Sequence, residues 1–282
     1  MAAQGKRIGF VDYNVDNFHA NTYLRLMRED LEGRGYTVAG CTGTRAKASQ
    51  AWAEENGVPY FKNAEKLNEA VDFYMVLAPS NPEVHLELCR SIFRYGKATY
   101  VDKTFAPDLR TAKQIFALAD RHRVPMQTTS ALRYTNVQDY VREVGARNVR
   151  HMVTWAGGGS FGEYAIHPLE MAISCMGSAV KRLMRRGTGK QSQLLLDFTG
   201  GRTAVVNVFT KSSTPYSGSV TTLEATKYLP VEARTMFRDT AAAVLDMFES
   251  GRANIDRKES LMIRRILDVA GQKRALKGFV AV

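Results

Sequence analysis

The sequence predicts an α/β chain in two parts: a doubly wound parallel sheet over residues 1–147, then an α+β domain, 148–282, built on a mainly antiparallel open sheet. Three observations predict it. Short apolar runs alternate with amphipathic segments through the first half. Side chains able to do chemistry stand just after those runs. Beyond residue 147, strand-like segments follow one another across short turns.

Each element has its own warrant. Arg7 to Val11 reads as a buried strand, and Asn17 to Glu32 as a helix with Ala20, Leu24, Met27 and Leu31 on one face. Tyr36 to Cys41 is a second strand. Arg45 to Asn56 is helical, with Gly57 where a left-handed cap is needed. Asp72 to Ala78 is the third strand, and Pro82 opens the next helix at a position where its missing N–H costs nothing. Ala98 to Val101, a helix over Leu109 to His122, and Pro125 to Thr129 complete the alternation. Parallel neighbours need crossover connections, so this alternation implies a parallel sheet with helices on both faces. In the second half Val149 to Trp155, Leu194 to Phe198, Thr203 to Phe209 and Ser219 to Leu223 are strand-like, with Gly200-Gly201 as a hairpin turn. Helical stretches fall at Pro168 to Met176, Val231 to Glu249 and Lys258 to Lys277.

Composition bounds the function. With 45% hydrophobic and 24% charged residues in 282, the chain has the balance of a globular protein. No apolar stretch is long enough for a membrane helix, and the first residues lack a secretory signal. Cys41, Cys89 and Cys175 show neither disulfide nor metal spacing, so no metal is expected and a reducing cytoplasm is. The net charge of +11 is densest at Lys181, Arg182, Arg185, Arg186 and Lys190, which reads as a solvated strand and turn. No nucleic-acid-binding motif accompanies it, so nucleic acid is not the expected partner.

Ligands of such a sheet bind beyond the carboxyl ends of its strands. Those ends read Asp12-Tyr13-Asn14-Val15-Asp16-Asn17, Thr42-Gly43-Thr44-Arg45, Pro79-Ser80-Asn81 with His85 beyond, and Asp102-Lys103-Thr104. Four segments, Ala78-Pro79-Ser80-Asn81 running to His85, Gly96-Lys97 running to Asp102-Lys103-Thr104, Ser130-Ala131-Leu132-Arg133-Tyr134, and Glu163-x-Ala165-x-His167-x-x-Glu170, carry a resemblance in order and spacing. The sequence resembles the glucose–fructose oxidoreductase / inositol dehydrogenase / MocA (Gfo/Idh/MocA) family of nicotinamide-dependent dehydrogenases. The resemblance implies a Rossmann-type first domain, NADP or NAD as cofactor, and a polar, sugar-like or acidic small-molecule substrate. It also implies a homo-oligomer formed through the open sheet.

The departures are as informative. The family's first turn is Gly-x-Gly-x-x-Gly/Ala-x-x-His. Counting back from His19 places Val11, Tyr13 and Asp16 at the glycine positions. Side chains there crowd the approach of main-chain N–H groups to a pyrophosphate. A carboxylate at about 4–6 Å repels a phosphate by a few kcal/mol at an effective dielectric near 20. Asp16 or Asn14 serves equally well as a helix N-cap. At the second strand end, hydroxyls and Arg45 replace the usual acid, which favours a 2′-phosphate and hence NADP slightly over NAD; an ordinary cap and a surface arginine remain an equal alternative.

By resemblance, Lys103 steadies a developing alkoxide and His167 takes the hydroxyl proton, with Glu163 and Glu170 in support. The cofactor-binding set is then Tyr13, Asn14, Val15, Thr42, Thr44, Arg45, Pro79, Ser80, Asn81, His85, Asp102, Lys103 and Arg133. His167 precedes Pro168 and is expected at a helix N-cap, where capping alone is the alternative. Tyr134 and Trp155 are expected near the pocket floor, and Gly157-Gly158-Gly159 as a lid or a turn. The expected function is therefore hydride transfer between a nicotinamide and a polar hydroxyl or carbonyl substrate. The alternative is a relative with a degenerate cofactor loop that acts as a non-redox binding or partner protein.

Overall fold

The computed structural model describes residues 6–187 and 189–282. Met1 to Gly5, part of the stretch that argued against a secretory signal, lie outside the described residues. The chain packs as two units. One runs to Thr129 and includes Phe237–Ile255; the other is Ser130–Met236 with Asp256–Val282.

The first unit holds the parallel sheet. Its strands are β1 (Arg7–Asp12), β2 (Thr37–Gly43), β3 (Phe73–Val76), β4 (Thr99–Asp102) and β5 (Met126–Thr129), in the order β2-β1-β3-β4-β5 and all parallel. The order reverses between β1 and β3, so the crevice at the carboxyl ends of these two strands is the switch point. β1 is buried from Ile8 to Asp12, as an apolar run covered on both faces must be.

Helix α1 (Phe18–Arg28) starts because the Asn17 side chain accepts the N–H groups of His19 and Ala20. The cap is thus Asn17, one residue beyond Asp16. The helix buries Ala20, Tyr23, Leu24 and Met27 on one face. It stops at Arg28, before a short 3-10 turn and Gly35 in the left-handed region. α2 (Ala46–Asn56) ends at Gly57 with φ 62°, as its sequence demands. α3 (Ala64–Ala70) is a seven-residue helix with too little periodicity to read in advance. α4 (His85–Phe93) follows a 3-10 turn at Pro82–Val84, and α5 (Leu109–Arg121) is capped by Asp108.

The second unit opens with α6 (Asn136–Val144), whose Thr135 and Gln138 form a capping box. Then come β6 (His151–Gly158), α7 (Phe161–Tyr164), α8 (Ile166–Met176), β7 (Val180–Arg186), β8 (Gln191–Phe198), β9 (Thr203–Thr210), β10 (Ser217–Thr221) and β11 (Thr226–Pro230). α9 (Ala233–Ser250) returns to the first unit, where Phe248 stacks on Phe73 at 4.6 Å. α10 (Arg257–Ala270) and β12 (Val280–Ala281) close the chain.

The seven strands lie in the order β11-β10-β6-β9-β8-β7-β12. Every pair is antiparallel except β6–β9, which is parallel because β7 and β8 intervene in sequence. Gly200 and Gly201, at φ 73° and 75°, turn β8 into β9. Burial alternates along β6 and β8, so one face is covered and the other open. The buried α8 supplies Leu169, Met171, Ala172 and Ile173 to the covered side.

Candidate active site

At the switch point of the first unit stands a carboxylate. Asp12, buried at the end of β1, accepts N–H bonds from Asn14 at 3.1 Å and Ala78 at 2.9 Å, and an amide bond from Asn17 at 2.9 Å. Burial pushes its carboxyl up to about 6, against the pull of those donors. The rest of the β1–α1 loop is equally engaged. Val15 donates its N–H to Ser49 Oγ at 3.3 Å, Asp16 to Asn14 Oδ1 at 3.3 Å, and Asn17 to the Val15 carbonyl at 2.8 Å. His19 and Ala20 donate to Asn17 Oδ1. Ser49 reaches the loop because Gly43 has no side chain; a Cβ there would lie 2.1 Å from Ser49 Oγ.

A pyrophosphate needs free main-chain donors at this helix N-terminus. Here the donors of Asn14 to Asn17, His19 and Ala20 are taken by loop side chains, the Val15 carbonyl and Ser49, around a buried acid. The β1–α1 loop as folded does not fit the phosphate-cradling mode of a glycine fingerprint.

The other strand ends keep ligand-facing chemistry. At the end of β2, Thr42 is buried, while Thr44 and Arg45 just beyond it are exposed. Thr44 Oγ1 donates to the Tyr13 carbonyl at 3.1 Å, and Arg45 Nε to Tyr13 Oη at 3.0 Å, with the guanidinium 5.0 Å above the Tyr13 ring. After β3, Ser80 is exposed and Asn81 donates to Glu83 at 3.0 Å. Pro79 presents its carbonyl to Lys103 Nζ at 3.4 Å. Lys103 is half-buried, and its N–H donates to Asp102 at 2.7 Å.

Asp102 also faces His19 in an ion pair and accepts from Tyr100 Oη at 3.1 Å. Although burial opposes ionisation, the charge and hydrogen bond of His19 hold the Asp102 carboxyl below the ordinary range. His85 is fully buried. Its Nδ1 lies 3.0 Å from the Phe105 carbonyl, and its Nε2 lies 3.1 Å from the carbonyls of Leu77 and Ala78. Burial lowers its basicity. It therefore ties the β3 and β4 ends together and has no ring nitrogen turned outward. Val15, likewise, is a core residue with a bonded N–H.

In the second unit His167 lies inside the first turn of α8, not at its N-cap, because the helix begins at Ile166. Its Nδ1 is 2.7 Å from Ser130 Oγ, and its ring lies against Tyr164 at 5.6 Å and Tyr216 at 5.9 Å. Burial raises the Tyr216 phenol. Pro168 gives its carbonyl to buried Thr154 at 3.0 Å, anchoring this turn to β6.

Glu163 is exposed and accepts from Ser160 at 3.1 Å. Glu170 has a strong partner of its own. It is buried and pairs with Arg133 at 2.6 Å, while Arg133 also holds Glu259 at 2.7 Å. Trp155 stands on the open face of the sheet against Tyr228, on the side away from α8. The three glycines are not equivalent. A Cβ on Gly158 would meet the Tyr164 ring at 2.0 Å and one on Gly157 the Thr214 carbonyl at 2.8 Å, whereas Gly159 has room. Close packing, rather than a lid, accounts for the first two.

Ser130 follows β5 directly, so the strand-end rule, extended to the fifth strand, would have found it. Ser49, Tyr216 and Glu259 have no local signal, because only the tertiary fold brings them in. Among the described residues there is no cluster of His, Cys, Asp and Glu placed to hold a metal, and no helix long and apolar enough to cross a membrane.

Comparison with known proteins agrees with this architecture. Residues 9–130 match the family model GFO_IDH_MocA, described as an oxidoreductase family with an NAD-binding Rossmann fold. No curated protein matches the chain. Among solved structures, apo scyllo-inositol dehydrogenase from Lactobacillus casei superposes with a TM-score of 0.82 at 12% identity, over 100% of this chain and 99% of that one. Myo-inositol 2-dehydrogenase from Lactobacillus plantarum gives 0.81 at 11%, over 98% and 99%. An oxidoreductase from Agrobacterium radiobacter, in complex with NAD+, L-tartaric acid and magnesium, gives 0.79 at 16%, over 98% of each chain. These likenesses establish the fold, and residues 9–130, the greater part of the first unit, match the Gfo/Idh/MocA oxidoreductase family model.

Proposed function

We propose that this chain is an NAD(P)-dependent oxidoreductase acting on a polar, hydroxyl- or carbonyl-bearing substrate of sugar-like kind. The observation that carries it is the meeting of the β3 and β4 ends at the carboxyl edge of the parallel sheet, where the Lys103 ammonium stands 3.4 Å from the Pro79 carbonyl. An ammonium there stabilises negative charge on a substrate oxygen. A nicotinamide, when bound, supplies the hydride acceptor or donor.

The chain's own residues supply the rest. Asp102 holds the Lys103 main chain and is itself held by His19. In the second unit, an Nδ1–H of His167 donating to Ser130 leaves Nε2 as the proton acceptor. The Arg45 guanidinium, with Thr44 beside it, suits a 2′-phosphate, which favours NADP, and Ser80 and Asn81 line the neighbouring strand end. Arg133 and Glu170 act as a structural pair in this reading. The substrate class comes from the similar structures, two of them inositol dehydrogenases and one complexed with L-tartaric acid. A second copy of the chain would cover the open face that carries Val153, Trp155, Val205 and Tyr228.

One observation favours a second reading. The β1–α1 loop has its donors internally satisfied around Asp12, which suits a relative that binds a polar ligand without redox turnover. Titration with NADPH and NADH separates the two. Saturable binding of either, with turnover of a polyol lost in Lys103→Ala and in His167→Ala, is expected. No binding up to millimolar cofactor removes the enzymatic reading; binding with turnover unchanged in Lys103→Ala removes the assigned role of the lysine.

A further inference from the structure

We propose that the second unit carries an anion site, separate from His167, that takes a small phosphate-bearing molecule. Helix α8 runs nine residues from His167 to Met176, about 14 Å at 1.5 Å per residue. At that far end, where Gly177 closes the helix, opens a cavity of about 480 Å3 lined by Arg147, Arg150, Arg202, Gly177 and Glu259. Its size suits a small molecule rather than a bare ion.

The arginines are held together by the sheet. β6 and β9 are parallel neighbours with His151 opposite Thr203, and the Thr203 N–H donates to the Arg150 carbonyl at 3.2 Å. Arg150 and Arg202 therefore stand at one level, each just before its strand, with main chains roughly 4.8 Å apart. Each is two residues before a side chain, Met152 and Ala204, buried on the face that α8 covers. Like charges placed opposite each other destabilise a sheet unless something neutralises them. Among the described residues Arg147, Arg150 and Arg202 have no ion-pair partner, and Arg202 has only the Phe198 ring, 5.7 Å from its guanidinium.

Glu259, the one acid on the cavity wall, is already held by Arg133 at 2.7 Å, and burial raises its carboxyl. Three guanidinium charges against a Glu170–Arg133–Glu259 group of net −1 leave an excess of two. A phosphate monoester matches that excess in charge, and its oxygens match the planar donor forks of arginine. In the basic run at residues 181–190, two of the arginines are already engaged. Arg182 is bonded to Asp197 at 2.6 Å, and Arg185 stacks on Phe161 at 4.0 Å and donates to Ser192 at 3.0 Å.

The test is calorimetric titration of the full chain, without nicotinamide cofactor, using inorganic phosphate and pyrophosphate at constant ionic strength with chloride as control. Saturable binding is expected, weakened at least tenfold in the Arg150→Gln/Arg202→Gln double variant. Arg147→Gln, at an exposed position on a 3-10 turn, is expected to weaken it severalfold and guards against a misfolded double variant. No heat beyond chloride, or equal affinity in all three proteins, overturns the proposal. So does a single-stranded oligonucleotide that binds more tightly than pyrophosphate and loses affinity steeply with salt, since that outcome assigns the arginines to a nucleic-acid face.

Discussion

Asp12 accepts the main-chain N–H of Ala78 at 2.9 Å, so an acid fastens the end of β1 to the end of β3. The same carboxylate organises Asn14 and Asn17, and through them the first turn of α1. Where the family fingerprint leaves main-chain donors open, this chain has built an anion of its own into the turn. The donor geometry of a helix N-terminus is retained, but its occupant is internal.

That arrangement has a pH signature. The Asp12 carboxyl titrates at about 6 in the folded protein against an ordinary value near 3.8. A raised carboxyl means that the folded state binds the proton more tightly than the unfolded one. Its contribution is fully present below about 4 and is lost as pH rises through about 6. A carboxyl raised by about two in pKa is worth roughly 3 kcal/mol. Asp12→Asn cannot titrate. Urea denaturation at pH 4 and pH 7 should therefore move the variant-minus-wild-type difference in the variant's favour by about 2–3 kcal/mol as pH rises. An unchanged difference would show that the carboxyl is not perturbed.

What the sequence displays and what it hides follow one division. The strand ends are legible because each apolar run of the parallel sheet is bounded by polar residues, and Asp12, Thr44, Asn81 and Lys103 all fall there. Loss of the glycine fingerprint is legible too. Its consequence is not, because Ser49 reaches Val15 from 34 residues away and only past Gly43. The role of Glu170 is hidden for a similar reason. Three residues after His167 it reads as part of one motif, yet its partner Arg133 lies 37 residues earlier. Residue type alone assigns Trp155 to a pocket, whereas strand alternation puts it on the open face.

The Arg133 pair makes a stability prediction. Arg133 is buried between Glu170 and Glu259; although burial opposes its charge, the two acids keep the guanidinium firmly protonated. Arg133→Ala leaves two carboxylates without their cation and should cost about 3–5 kcal/mol. Arg133→Leu/Glu170→Leu, which removes an acid as well, should recover part of that loss. Urea midpoints of the single and double variants test it, and a double variant as unstable as the sum of its singles would contradict a coupled pair.

The three consecutive glycines can be told apart by alanine substitution. A Cβ at Gly157 meets the Thr214 carbonyl, which can yield only by moving backbone, and one at Gly158 meets the Tyr164 ring. Each should lower stability by about 1–3 kcal/mol. Gly159→Ala finds ordinary contact distances, the nearest being 3.7 Å, and should stay within about 0.5 kcal/mol. Thermal melts of the three variants give the ranking. A flexible lid would instead make all three similar in stability and alike in their effect on ligand release.

The last prediction concerns Ser130 and the histidine it holds. The hydroxyl lies 2.7 Å from His167 Nδ1 and accepts the Leu132 N–H at 3.3 Å, so the His167 tautomer is coupled to the direction of this one hydrogen bond. The proposed role of His167 requires the tautomer in which Nδ1–H donates to Ser130 and Nε2 accepts the proton. Ser130→Ala removes that hydrogen bond without touching the imidazole, whereas Ser130→Thr keeps the hydroxyl. In 15N spectra, the wild type and the threonine variant should show the Nδ1–H tautomer of His167, and the alanine variant a mixture. Once a substrate turns over, Ser130→Ala should lower kcat about tenfold with little change in KM, and Ser130→Thr should restore it. A serine needed only for packing would leave the tautomer unchanged and lower stability instead.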